Sequence, residues 1–556
     1  MLRIYRYCFF SIVLFVLGAD FSASNIYSQE DPTVGLLVKE SASTDVLTLV
    51  ANTGSREAYL INNCGHYVHT WQDLEGSGFA SYLTKDGELV RSERGGNSFN
   101  AGGAAGKLSK YDWNGNTLWS VELNEENVFQ QHHDIALLPN GNILALVWEL
   151  VDYETAIALG RDKDITNMQG VYMESIYEIK PVGSSDYEIV WKWNLIDHLI
   201  QDFDDTKENY GVIADNPNRI DINFTDGSTA KSVDPFHYNG IDYNVDLDQI
   251  LVSSRNFSEV FVLDHSTTTA EAATSSGGNS GRGGDLLFRY GNPESYGFGD
   301  ADDQLFFGQH DSRWLVDSQG KYTGSISVYN NGSDRPGNFS TVDEVQLIFD
   351  SSTGRYAFDD TGYELAPHNM VINGAKFINF SSIRMSGAFK LDNDNYIVCH
   401  ATNGVLQEID LDGELLWEYI YPVNTVGPVY QGDNTFGNSV FKTFSYYYDY
   451  PGLIGKDLSD KGPIELNPIE TECTLLTSIE EDNLQDIAVP TLWDNTVNLQ
   501  DLQQIATIRI LDMQGNLVKQ IMNNLNSDSH SIDVSMLPKG MYVLLLDNSP
   551  FQCVKF

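Results

Sequence analysis

Three histidines, one arginine and one asparagine are the residues of this chain whose types and spacing suit chemistry. His133 in "NVFQQHHDIALLPNGNILALVW", His237 in "FHYNGIDYNVDLDQILVSSR" and His310 in "FFGQHDSRWLVDSQGKYTGSISVY" stand six or seven residues before turns at Pro139, Asn244 and Asp317. Arg255 follows His237 by eighteen residues, and Asn239 follows it by two. Three neutral imidazoles suggest a metal first, since they ligate zinc, copper or iron. A guanidinium among them instead repels a cation and offers a rigid fork to an oxyanion, so sulfate and phosphate esters are the better guests. A neutral histidine can attack the central atom of such an ester, and a second, titrating near about pH 6.5 when unperturbed, can protonate the leaving oxygen. Arg255 and the remaining histidine would hold the charge on the non-bridging oxygens. This chemistry requires no metal and no cofactor.

The elements around these residues read as strands. From about residue 45 to 450, runs rich in Ile, Val, Leu, Tyr and Trp are broken by Asn-Gly and Asp-Gly turns, and helical periodicity is scarce. Two hairpin types alternate. One includes "FASYLTKDGELVRSE" and "SGAFKLDNDNYIVCHATNG" together with the three histidine segments; the other, "REAYLINNCGHYVHTW", "GKLSKYDWNGNTLWSVEL", "SIYEIKPVGSSDYEIVWKWN" and "GVLQEIDLDGELLWEYIYP", ends near a tryptophan. Inner and outer hairpins repeating at roughly 50 to 100 residues predict an all-β, six-bladed propeller of four-stranded blades. The first outer hairpin, near 56–71, lacks an inner partner, which "SVFKTFSYYYDY" can supply, closing the ring. Inner strands line the central channel, so the three histidines converge there. If the His237 hairpin turns near Asp246-Leu247, His237 faces Asn256 with Arg255 diagonally adjacent, and Asn239 shares the face of His237. Alternation turns His132 to the opposite face from His133. The remaining histidines, His66, His69, His198, His265, His368, His400 and His530, read as structural or exposed, with His400 the first to reconsider.

Composition narrows the class. With 78 acidic against 33 basic residues the net charge is −45, which opposes binding to nucleic acid or anionic lipid. Met1–Gly18 carries Arg3 and Arg6 before an apolar run and reads as a secretory signal, with cleavage expected between Ser22 and Glu30. The expected division is 1–29 signal, 30–465 propeller and 466–556 a small C-terminal β-sandwich. Cys64, Cys399, Cys473 and Cys553 remain after the leader carries off Cys8; a Cys64–Cys399 disulfide and separate buried thiols are both open. Gly-rich 266–284 reads as a flexible insertion or a lid. The acidic clusters "DFDD" and "DADD" read as solvated loops or calcium sites, neither with complete EF-hand spacing.

The blocks "AYLINNCGHYVHTW", "QQHHDIALLPNGNILAL", "FHYNGIDYNVDLDQILVSSRNFSEVFVLDHSTTTAEAA", "GGNSGRGGDLLFRYGNP", "FFGQHDSRWL" and "VYNNGSDRPG" together resemble the bacterial aryl-sulfate sulfotransferases over about residues 34–425. The resemblance implies a six-bladed propeller that moves a sulfuryl group between phenols without phosphoadenosine phosphosulfate, by a ping-pong route through a sulfohistidine. It implies His310 as nucleophile, with His237, Asn239 and Arg255 on the sulfuryl oxygens and His133 completing the cluster. The expected site is therefore catalytic His310, His237, His133 and Arg255, with Asn239, His132, Arg384 and Ser386 binding substrate, and no metal. Some members carry an N-terminal β-domain used in dimerisation, whereas little more than thirty residues separate the leader from the first blade here. Beyond residue 466, Ile508, Asp512, Gly515, Ile532-Asp533-Val534-Ser535 and Gly540-Met541-Tyr542 resemble the C-terminal sorting domain of type IX secretion. That implies the secretion machinery as a partner, passage through the periplasm and a cell-surface or secreted location.

Two rival functions use the same residues. One is a non-enzymatic secreted propeller that binds sulfated or phenolic ligands; the other is a metal-dependent ester hydrolase. Turnover separates the first from the transferase, and metal analysis of active protein separates the second.

Overall fold

The computed structural model describes residues 32–469 apart from 97, 226, 360–361, 364–366 and 375–379, then Cys473, 492–493, 495–500, 507–511, 517–522, 529–546 and 549–555. The leader and its cleavage stretch lie outside the described residues, as do Asp512 and Gly515 of the C-terminal motif.

Six antiparallel sheets form the blades of a propeller. Blade 1 combines Leu47–Val50, Ala58–Ile61 and Tyr67–Trp71 with Phe444–Tyr446, the late strand that the sequence left to fill the gap. Blade 2 comprises Ser77–Leu83, Leu89–Arg94, Gly106–Tyr111 and Thr117–Glu122. Blade 3 is built from Phe129–Leu137, Ile143–Val151, Val171–Val182 and Asp186–Asn194, with Asn124–Glu125 at its inner edge. Blade 4 holds Tyr238–Asn244, Gln249–Ser254, Glu259–Asp264 and Phe288–Tyr290. Blade 5 holds His310–Val316, Tyr322–Asn330, Thr341–Gln346 and His368–Asn373. In blade 6, Gly387–Lys390, Tyr396–His400, Val405–Ile409 and Leu415–Ile420 gain the N-terminal strand Gly35–Lys39 at the outer edge. Both ends of the propeller sequence are thus sewn into other blades, which leaves no open gap in the ring.

Side-chain alternation explains why the strands read as nearly continuous apolar runs. Leu144 and Leu146 of blade 3 pack with Ile250 and Val252 of blade 4, while Ile143, Ala145 and Val147 pack with Val90 and Leu108 of blade 2. Each blade has a neighbour on both faces, so both registers of central strands such as Ile143–Val151 and Gln249–Ser254 are largely buried. The recurring tryptophans fasten the outer strands. Trp71, Trp119, Trp191 and Trp417 donate their indole N–H to Asp112 O, Asp186 O, Thr267 Oγ1 and Asn63 O of the next blade, at 2.8 to 3.1 Å. A buried indole needs such an acceptor, and the turn of the following blade supplies it.

Two expectations change. Cys64 pairs with Cys473, at a Cα separation of 5.8 Å, and not with Cys399. Cys399 is a free thiol buried inside blade 6, whereas Cys64 lies on the turn after Ala58–Ile61, where the chain leaving the propeller passes. The 266–284 insertion is neither a loose loop nor a lid over the channel. It holds a short helix, Thr269–Ala272, capped by Thr268 and Glu271, and it is pinned to blade 3 by Trp193 Nε1 on Gly284 O (2.7 Å) and His198 Nε2 on Ala272 O (2.8 Å).

In the C-terminal part, Leu492–Trp493, Thr507–Leu511, Leu517–Met522, Gly540–Leu546 and Ser549–Lys555 form one sheet, and Thr496–Gln500 pairs with Ser529–Asp533 in a second. Val497, Leu499, Ile508, Ile510, Ile532 and Leu544 share one apolar core.

Candidate active site

The inner strands of blades 3, 4 and 5 are each broken by a bulge at the same end of the channel. Register shifts fall between Gln131 and Ile135, between Tyr238 and Gly240, and between His310 and Arg313. The left-handed residues there are His133 (φ 45°), His237 (φ 51°) and Asp311 (φ 51°). A non-glycine residue in this region is held against its own preference by its surroundings, and such strain gathers at functional sites. The bulges turn the histidines inward more sharply than a regular strand would. His133 and His237 occupy equivalent left-handed positions, and His310 sits one residue before its own.

The bulge also corrects the expected pairing. Tyr243 opposes Ile250, but beyond the bulge Tyr238 opposes Ser254. The one-residue shift brings Arg255, and not Asn256, across from His237, with Arg255 N–H donating to His237 O at 3.1 Å. The Arg255 side chain runs beside Gly308, two residues before His310, and its Nη1 donates to Asn256 Oδ1 at 3.0 Å.

The ring centroids of His133 and His237 are 4.7 Å apart. His237 is half-buried, and its Nδ1–H donates to Asp234 Oδ2 at 2.5 Å while its backbone N–H donates to Asp234 Oδ1 at 3.1 Å. This leaves Nε2 for the cluster.

His310 is buried, and its tautomer follows from its partners. Asn331 Nδ2 donates to Ser382 O (2.6 Å) and Met385 O (3.0 Å), so Asn331 Oδ1 must be the acceptor from His310 Nδ1–H at 2.7 Å. Nε2 therefore carries a lone pair, and the Met385 backbone N–H donates to it at 3.1 Å. Met385 (φ 54°) and Ser386 (φ 83°) are both left-handed, and that turn aims the N–H at the imidazole. Burial, then the Arg255 guanidinium, lowers His310 to about 3, so the ring is neutral near pH 7.

His133 is buried between Phe79, at a centroid distance of 5.6 Å, and Phe441, at 6.3 Å. Its N–H donates to Gly103 O at 2.8 Å, and a Cβ at Gly103 would overlap the His133 ring, so only glycine lets that strap lie so close. Burial and the neighbouring histidines hold His133 well below the usual imidazole range. A cavity of about 340 Å³, lined by Phe79, Arg94, Phe99, Gly103 and Gln130, opens next to it.

The other expected substrate residues are placed differently. Asn239 is buried, donates Nδ2 to Gln309 O at 2.7 Å, and has no partner for Oδ1 among the described residues. His132 is buried behind His133 and stacks on Trp148 at 4.1 Å. Ser386 is buried, and its Oγ accepts from Ala401 N at 3.1 Å, so it holds the Met385 turn in place. Arg384 is exposed, and no contact ties it to the histidines. His400, at the end of the second strand of blade 6, lies between Tyr329 Oη (3.1 Å) and Gln407 Oε1 (3.0 Å).

Below the histidines lies a charged network that sequence reasoning passed over. Asp134 accepts from Tyr82 Oη (2.7 Å), Ile241 N (3.1 Å) and Lys442 Nζ (2.7 Å); Asp311 accepts from Lys442 Nζ (3.0 Å), Arg313 Nε (2.8 Å) and Ala388 N (3.1 Å). Asp242 accepts from Trp314 N at 2.8 Å. Each carboxylate bonds the inner strand of the following blade, which fixes the angle at which the histidines meet. The aspartates beside His133 and His310 therefore serve position.

Among the described residues, no group of three or more His, Cys, Asp or Glu side chains is arranged to hold a metal, and no helix is long and apolar enough to cross a membrane. Residues 39–415 match the family described as arylsulfotransferase (ASST), and residues 490–555 match the secretion system C-terminal sorting domain. No curated protein matches the chain. Similar solved structures include a protein of unknown function from Bacteroides caccae, with 14% identity, 72% of this chain and 99% of that one covered, and a TM-score of 0.37. A periplasmic gluconolactonase from Pseudomonas aeruginosa has 9% identity, covers the same shares and has a TM-score of 0.33.

Proposed function

This chain belongs to the arylsulfotransferase family, whose members are aryl-sulfate sulfotransferases, and from that premise we propose that it carries a sulfuryl group from a phenolic sulfate ester to a second phenol through a sulfohistidine on His310. The observation that supports this most is the tautomer of His310. Its Nδ1–H is committed to Asn331, so Nε2 carries the lone pair, which accepts from the Met385 N–H, on a ring kept neutral by burial and by Arg255.

In the first half-reaction the Nε2 lone pair attacks sulfur as the sulfur to aryl-oxygen bond breaks, and the phenolate leaves with a proton from a neighbouring acid. The non-bridging oxygens meet Arg255, His237 and Asn239. The Met385 N–H, released from Nε2 as the new bond forms, is in reach of one of them as a fixed donor. In the second half-reaction the acceptor phenol gives up its proton, its oxygen attacks sulfur, and the nitrogen to sulfur bond returns its electron pair to Nε2. Phe79, Phe441 and the adjoining cavity suit an aryl ring.

The sorting domain indicates secretion or a cell-surface location; we read the route as passage through the periplasm, with the secretion machinery as partner. Transfer from 4-nitrophenyl sulfate to phenol by purified protein, abolished in a folded His310→Ala variant, tests the activity. Undiminished transfer in that variant would reject the role of His310.

A further inference from the structure

Behind His133 runs a chain of hydrogen bonds that the reaction above does not use. His133 Nδ1 lies 2.9 Å from His132 Nδ1, and His132 Nε2 lies 3.0 Å from Glu174 Oε2. His132 and Glu174 are fully buried, and the other carboxylate oxygen, Oε1, accepts from Tyr238 N at 2.8 Å. Among the described residues nothing hydrogen-bonds His133 Nε2, so the chain runs from a sealed carboxyl group to one nitrogen at the site.

Two nitrogens 2.9 Å apart share one proton, which leaves two consistent arrangements. In the first, protonated Glu174 donates to His132 Nε2, His132 Nδ1–H donates to His133 Nδ1, and His133 carries its proton on Nε2. In the second, His132 Nε2–H donates to ionised Glu174, His133 Nδ1–H donates to His132 Nδ1, and His133 Nε2 holds a lone pair. They differ by one proton, and that proton is exchanged at His133 Nε2.

We propose that Glu174 and His132 are a proton relay for His133, which delivers a proton to the leaving phenolate and takes one back from the acceptor phenol. The proposal rests on the reading of this chain as a transferase through His310. As the bond between sulfur and the phenolic oxygen breaks, the Nε2 proton goes to the phenolate oxygen, the His132 Nδ1 proton moves to His133 Nδ1, and the Glu174 proton moves to His132 Nε2. Glu174 is left ionised and no imidazolium forms beside Arg255. The acceptor half-reaction runs the same steps backward, so the cycle closes without net proton uptake.

The surroundings agree. Burial, then the charge of Asp234, holds Glu174 well above the usual carboxylate range, while burial lowers His132 to about 3. The resting state is therefore the uncharged first arrangement, with the proton loaded on Nε2. His237 with Asp234 is the other ionisable pair facing Glu174.

The test is Glu174→Gln, which keeps an acceptor for Tyr238 N and a partner for His132 but has no proton to pass on. In a ping-pong reaction kcat/KM for the donor reports the first half-reaction alone. A 4-nitrophenolate leaves without protonation, whereas an unsubstituted phenolate needs it. With phenyl sulfate the variant should lose about 10²-fold or more, the usual worth of general acid catalysis, and this loss should exceed that with 4-nitrophenyl sulfate by at least about tenfold. Equal losses with both donors would overturn the relay and leave the sulfohistidine untouched; a wild-type protein that transfers from neither donor would overturn both. If the variant does not fold, a proton inventory on the wild type with phenyl sulfate decides. A curved dependence on deuterium content, from several protons moving together, supports the relay, and a linear one overturns it.

Discussion

Arg255 stands directly across the inner hairpin of blade 4 from His237, its backbone N–H on the His237 carbonyl at 3.1 Å. The bulge between Tyr238 and Gly240 creates that pairing by moving the register one residue. A fork of donors and an imidazole thus leave the same rung together.

Arg255→Ala should therefore lower kcat by about 10² to 10³-fold, the range for removing one preorganised oxyanion donor. Arg255→Lys should recover only part of the loss, because a point charge replaces a planar fork. Single-turnover transfer from an aryl sulfate measures both, and an Arg255→Ala variant as fast as wild type would contradict the assignment.

Asn331 sets the tautomer of His310. Asn331→Leu should lower kcat with little change in KM, by up to about 10⁴-fold, the cost of leaving a catalytic histidine in the wrong tautomer. A raised KM with unchanged kcat would show that the amide serves binding instead.

Buried neutral histidines make the fold sensitive to acid. His132 and His310 are lowered to about 3 and His400 to about 4. Below about pH 6.5 the unfolded chain takes up protons that these folded rings refuse, so stability falls as pH drops toward the folded values. Each ring contributes a slope of up to about 1.4 kcal/mol per pH unit. Urea midpoints between pH 6.5 and 4.5 should fall more steeply for wild type than for His400→Gln, which removes one of these groups away from the site. Identical slopes would show that His400 is not held neutral.

Lys442 lies between Asp134 and Asp311 with almost no exposure. Lys442→Met should destabilise the propeller by about 3 to 5 kcal/mol, because two buried carboxylates lose their shared partner. Denaturant unfolding measures this, and a change below about 1 kcal/mol would mean that Arg313 and the backbone donors suffice.

The propeller was legible because its signals are local and repeated. Asn-Gly turns, apolar runs and a tryptophan at the end of four of the six outer hairpins report a strand order without knowledge of distant contacts. His133, His237 and His310 were legible for the same reason, as one residue type before one kind of turn. The pairing of His237 was not, because a bulge with a histidine at positive φ leaves no mark in composition. Asp234, three residues before His237, and Asn331 in "YNNGSDRPG" lay within view, and a search for acceptors to each ring nitrogen would have found them. Glu174 sits on another strand and Lys442 just before the strand Phe444–Tyr446, 42 and 308 residues from their partners His132 and Asp134, and only the closed ring brings them in.

The most direct measurement is intact mass of the chelated, dialysed protein after exposure to an aryl sulfate without acceptor, followed by peptide mapping. One sulfuryl group should appear on His310, be discharged when phenol is added and be recovered as phenyl sulfate. Transfer that proceeds with no adduct, an adduct on another residue, or discharge to water alone would contradict transfer through His310.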